Sequence, residues 1–114
     1  MQLDTQTDLV PLAIREDSTV TASVHGEIDL HNSPELRTAI LHVLIKPDVK
    51  LLKLNLKEVP YMDSSAIAVL VEGLRLIQRQ KGEILLTYVQ PRVRAILQIA
   101  RLDTIFKMAD EPAN

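Results

Sequence analysis

Three short apolar runs, residues 19–25, 51–56 and 84–89, are each followed by a helix-start signal and an amphipathic stretch. That alternation restricts the chain more than any other feature. Strands that alternate with helices build a sheet covered by helices, with right-handed crossovers and mainly parallel central strands. In residues 19–25, Val20, Ala22 and Val24 fall on one face of a β-branched, alternating run. In residues 51–56, Leu52, Leu54 and Leu56 alternate with Lys53 and Asn55, while Leu51 adds an apolar side chain on the other face. Such a strand is central or largely covered.

The helix starts are chemically distinct. Asn32-Ser33-Pro34-Glu35 offers a cap, a proline for the first turn and a glutamate at the reciprocal capping-box position. The helix that follows aligns Leu36, Ile40, Val43 and Leu44, and Pro47 ends it. Asp63-Ser64-Ser65 opens a second helix expected from about Ser65 to Gln80, stopped by Lys81-Gly82. Pro91 opens a third, with Val93, Ile96, Leu97 and Ala100 inward. An edge strand is expected over residues 9–14, with Pro11 at its start or on its free edge. Only the turn Glu16-Asp17-Ser18 separates it from the next strand, so that pair should be antiparallel. Residues 105–108 read as a last short strand. The expected order is β-β-α-β-α-β-α-β, one α/β domain. Residues 1–7 look loosely held, and residues 109–114 form a tail too short and polar for another helix.

The 114 residues suit one core, and 3% aromatic content means that Leu, Ile, Val and Ala must build it. A net charge of −2 removes the broad attraction expected of a direct nucleic-acid binder. The chain contains no Cys, which excludes disulfides, thiolate metal sites and cysteine nucleophiles. No signal segment and no apolar run long enough to span a bilayer stand out, so membrane insertion is not expected.

Catalytic constellations are poorly supported. His25, His31 and His42 lack metal-ligand spacing and read as surface or strand-end residues. Ser64, His31 and Asp29 supply the residue types of a hydrolytic triad, without the G-x-S-x-G elbow. Three glycines, Gly26, Gly73 and Gly82, make no phosphate loop. The second helix is more informative. Ile67, Leu70, Val71, Leu74 and Ile77 make an apolar stripe about 120° wide, the expected core face. Val69 and Leu76 point away from it, and Ser65, Val69, Glu72 and Leu76 follow helical spacing. These are either scattered exposed apolar residues or a partner-binding ridge beginning at the two serines. A phosphate on either serine would add about −1.5 to −2 charge at a helix N-terminus that tolerates it. A partner docked over that end would not tolerate it.

Met62-Asp63-Ser64-Ser65 followed by Ala66-Ile67-Ala68-Val69-Leu70, the run Gly26-Glu27-Ile28-Asp29, and the strand 84–89 followed by Pro91-Arg92-Val93 together resemble a STAS domain. The likeness is greatest to bacterial anti-sigma factor antagonists and covers roughly residues 8–108. The family usually carries D-S-[ST]-G-[LIV]-G, with Gly where this chain has Ala66 and Ala68. The resemblance implies a single domain with a mixed, mostly parallel sheet and helices packed against it. It implies a non-enzymatic phosphoprotein, and the lack of a signal segment makes a cytoplasmic protein the default expectation. Ser64 is then the residue phosphorylated by an anti-sigma factor that is also a serine kinase. The dephosphorylated chain binds that kinase and frees a sigma factor, and a serine phosphatase resets the cycle. The implied partner-binding residues are Asp29, Asp63, Ser64, Ser65, Ala66, Val69, Glu72 and Leu76. No cofactor belongs to the chain itself, since ATP and Mg²⁺ would be the kinase's. Two alternatives within the family are a subunit binding the ATPase of a lipid-transport ABC system, and a signalling module with a non-sigma output.

Overall fold

The computed structural model describes residues 2–3 and 7–109. Strands β1 (Leu12–Glu16) and β2 (Thr19–His25) form an antiparallel hairpin. Helix α1 (Ser33–Leu44) leads to β3 (Leu51–Glu58), α2 (Ser64–Arg79) to β4 (Glu83–Thr87), and α3 (Pro91–Ile99) to β5 (Lys107–Ala109). The sheet runs β1-β2-β3-β4-β5, and β2 to β5 are parallel. Each parallel crossover steps to the next strand in the same direction. Because such crossovers are right-handed, all three helices fall on one face.

Burial follows that geometry. Ala13, Val20, Ala22, Leu52, Leu54, Ile84 and Leu86 share the helix-covered face and are buried. Their alternates Ile14, Thr21, Lys53 and Leu85 share the opposite face and stay partly or largely exposed. The core is aliphatic apart from Phe106, as the low aromatic content requires.

Several boundaries differ from expectation for identifiable reasons. β1 begins at Leu12 rather than residue 9, after Pro11, which has no N–H to donate. Leu9 and Val10 are nevertheless buried, and Leu9 O accepts from His25 N. β4 stops at Thr87, short of residue 89, because Tyr88 takes a left-handed φ of 54°. β5 starts two residues later and ends one residue later than the expected 105–108, and Ile105 is exposed. In α3, Val93 and Leu97 are buried and Ile96 is half-buried, whereas Ala100 is exposed at the C-cap and not inward. Of residues 1–7, Gln2 bridges Ile14 and Leu3 N donates to Ala13 O, so these two are tied to β1. Met1, residues 4–6 and most of the expected tail, 110–114, lie outside the described residues.

Helix α2 buries a wider arc than its expected stripe. Ala66, Val69 and Gly73 join Ile67, Leu70, Leu74 and Ile77, while Val71 is only half-buried. The cause is α1, which packs on its flank. A Cβ at position 73 would stand 3.0 Å from Ile40 Cγ2, so the glycine permits close approach. Arg37 of α1 grips Glu72 of α2 through Nε–Oε1 at 2.7 Å and Nη2–Oε2 at 2.9 Å. At the helix's far end, a Cβ on Gly82 would lie 2.7 Å from Lys50 O, which explains a glycine between α2 and β4.

Leu54 is 1% exposed at the centre of the sheet's covered face. Leu54→Ala should destabilise the fold by about 2–5 kcal/mol through lost burial and a residual cavity. A urea midpoint shifted down at unchanged slope is the expected reading.

Candidate functional site

The site is built where β2 and β3 end. Pairing continues past both strands: Ile28 N donates to Tyr61 O at 3.0 Å, and Asp63 N donates to Ile28 O at 3.0 Å. Ile28 and Met62 form a parallel bridge and are fully buried. Two apolar side chains in the core therefore fix the loop before α1 against the loop before α2. Gly26, at φ 98°, supplies the left-handed turn that lets the first loop leave β2.

Asp63 caps α2 from an extended conformation. Its Oδ1 accepts from Ser65 N at 2.9 Å, Ser65 Oγ at 2.5 Å and Ala66 N at 3.2 Å. These bonds satisfy N–H groups that the helix leaves unpaired. The Ser65 hydroxyl is the main reason that the Asp63 carboxyl lies below the usual carboxylate range. Partial burial opposes the shift, and the backbone N–H groups of Ala66, Ser65 and Leu30 reinforce it. Leu30 belongs to the other loop, so one carboxylate serves both.

The two serines differ. Ser65 is half-buried and its hydroxyl is engaged by Asp63. Ser64, at the first position of α2, is exposed, and its hydroxyl makes no hydrogen bond among the described residues.

Asp29 is half-buried and organises its own turn. Its Oδ1 accepts from His31 N at 2.9 Å, and its backbone oxygen accepts from Asn32 N at 3.2 Å and Ser33 N at 2.8 Å. Asn32 was expected to cap α1 but makes no side-chain cap bond. Its Oδ1 accepts from Asp29 N at 2.8 Å and its Nδ2 donates to Glu27 O at 2.9 Å. His31 Nδ1 stands 3.6 Å from Asp29 Oδ1 with its side chain 97% exposed. No hydrogen bond joins it to Ser64 among the described residues, so the three triad residue types do not form a hydrogen-bonded relay.

The expected ridge along α2 is corrected. Val69 is buried in the core, because α1 covers that flank. Ala66 is buried as well. Glu72 is held by Arg37, and Leu76 is half-buried against the core. The exposed line of α2 runs instead through Ser64, Ala68, Arg75 and Arg79. Sequence spacing missed two further neighbours of the site. Arg92 lies over the Tyr61 ring, 4.9 Å from its centroid, and Leu30 is 73% exposed. Among the described residues, no helix is long and apolar enough to cross a membrane, and no cluster of side chains could hold a metal ion.

The STAS domain profile matches residues 11–114. This chain belongs to the STAS domain family. It is 27% identical over 101 residues to an anti-sigma-B factor antagonist of Listeria monocytogenes, covering 87% of this chain and 88% of the relative. It is 29% identical over 89 residues to an anti-sigma F factor antagonist of Paenibacillus polymyxa, covering 78% and 76%. A crystal structure from Thermotoga maritima, of a protein assigned as an anti-sigma factor antagonist, superposes with a TM-score of 0.82 at 25% identity over 91% of this chain and 88% of that one. The one-sided five-strand sheet is thus a STAS architecture.

The Asp63 cap has a pH signature. Its native pKa is lowered, so its contribution is complete above the unfolded carboxylate's value of about 3.9 and is lost as pH falls through the lower native value. Asp63→Asn should lower stability at neutral pH and flatten the acid limb of stability against pH. Urea melts from about pH 6 to about pH 3 check this.

Proposed function

We propose that this STAS protein is an anti-sigma factor antagonist switched by phosphorylation of Ser64. The observation that carries the reading is the contrast between the serines: Ser64 offers an exposed hydroxyl with no hydrogen bond among the described residues, while that of Ser65 is spent on Asp63. The names of the relatives at 27% and 29% identity support the partner class. The partner is then an anti-sigma factor that is also a serine kinase, and a serine phosphatase restores the free hydroxyl. The chain acts as substrate and binding module in the cytoplasm, with ATP and Mg²⁺ held by the kinase.

The physics of the switch is local. A phosphate of about −1.5 to −2 charge at the first turn of α2 meets a favourable dipole, so the fold survives. It also stands beside the ionised Asp63, on the surface where a neutral hydroxyl had faced the partner. Binding weakens through bulk and charge that the partner must accommodate. Asp29, Asp63, Ser64 and Ser65 frame this surface, and Glu72 and Leu76 extend it along α2. Ala66 and Val69 support it from beneath.

Incubation with the cognate anti-sigma kinase and ATP should place one phosphate on Ser64, read by tandem mass spectrometry. Ser65→Ala should remain a substrate. Ser64→Ala should bind the kinase and take no phosphate, and Ser64→Asp should bind roughly tenfold or more weakly, about 1.4 kcal/mol. Absence of phosphate on Ser64, or equal binding by Ser64→Asp, overturns the reading. Co-purification of an ABC ATPase, indifferent to Ser64→Asp, would point to the transporter-subunit alternative.

A further inference from the structure

A solitary exposed leucine needs no explanation on most surfaces. Leu30 is different because of how it is held. It is 73% exposed in the turn between Gly26 and α1, beside Asp63. The residues around it are tied by hydrogen bonds: Asp29 N to Asn32 Oδ1, His31 N to Asp29 Oδ1, and Asn32 N and Ser33 N to Asp29 O. Leu30 N faces the Asp63 carboxylate. The buried Ile28, bonded on both sides to the loop before α2, anchors the turn from below.

The turn is favoured at the expense of the helix. Asn32 stands where a side-chain cap typically adds about 1 kcal/mol, yet α1 goes without it. Both polar atoms of the Asn32 amide hold the turn instead, one on Asp29 and one on Glu27. Places where a local rule is broken in this way are characteristic of functional surfaces. The turn holds the Leu30 backbone beside Asp63, the residue before Ser64, and leaves a large apolar side chain out of the core. Ordering paid for during folding need not be paid again on binding.

We infer that Leu30 is a preorganised apolar anchor that docks into a hydrophobic pocket of the protein that reads Ser64. This rests on the Ser64 reading above and extends it. The partner's surface must then combine an apolar pocket with a site that receives the serine hydroxyl. Leu30 supplies affinity and selects among partners, and the phosphate on Ser64 acts at the edge of the same contact. Ile45 and Ile99, 76% and 84% exposed, are internal controls, since neither belongs to the two loops that build the site.

The experiment measures the affinity of full-length variants for the purified anti-sigma kinase by calorimetry, with thermal melts alongside. Leu30→Ala should raise Kd roughly tenfold to a hundredfold, and Leu30→Asp more, with melting unchanged. Leu30→Met should bind nearly as well as the native chain. Ile45→Ala and Ile99→Ala should bind unchanged. If Leu30→Ala and Leu30→Asp bind normally while Ser64→Asp binds weakly, the anchor is overturned and the Ser64 switch stands. Equal losses in Leu30→Met and Leu30→Ala also overturn it, because the apolar character would then be irrelevant. If the native chain does not bind the kinase, both readings fail.

Discussion

The organisation of the site depends on backbone pairing that continues beyond the ends of β2 and β3. Ile28 and Met62 carry it, both fully buried, with Ile28 exchanging hydrogen bonds with Tyr61 and Asp63. Apolar burial is non-directional, but here it secures a directional result. The hydrogen bonds set the relative position of two loops, and the core holds them there. Asp63 then joins those loops through one carboxylate, which binds the first turn of α2 and faces Leu30 N. The cap that starts the helix is also the link that makes the surface one unit.

That arrangement gives two adjacent serines different surroundings. Capping an N-terminus needs an acceptor, and Asp63 provides it. Once Ser65 has donated its hydroxyl to that acceptor, Ser64 is left facing solvent. A phosphate at that position would add charge to a helix end suited to anions. The sheet helps by being covered on one face only. All the parallel crossovers pack on the same side, and the loops after β2 and β3 meet at the head of α2.

Much of the fold was legible from local pattern. Alternation in residues 19–25 and 51–56 marks β2 and β3 because a side chain in a strand must face either core or solvent. Pro34 and Pro91 mark helix starts because their fixed φ suits a first turn. The likeness to the STAS family placed the Asp63-Ser64-Ser65 motif at the head of α2. What misled was treating α2 as a helix with one covered side. Periodicity put Val69 outside, whereas α1 encloses that flank and Gly73 lets it come close. Asn32 misled in a similar way, since its spacing from Glu35 fits a capping box but its amide finds better partners in the preceding turn.

The sequence by itself determined the order of elements, the aliphatic core and the capped start of α2, because each depends on residues close in the chain. Strand periodicity, proline geometry and N-cap chemistry all act over a few positions. Tertiary structure alone decided which face of α2 meets solvent and that the turn carrying Leu30 stands beside Asp63. Those outcomes depend on Ile28 meeting Met62 and Arg37 meeting Glu72, contacts between residues more than thirty positions apart. No local pattern encodes such distances; only the packed sheet and helices bring them together.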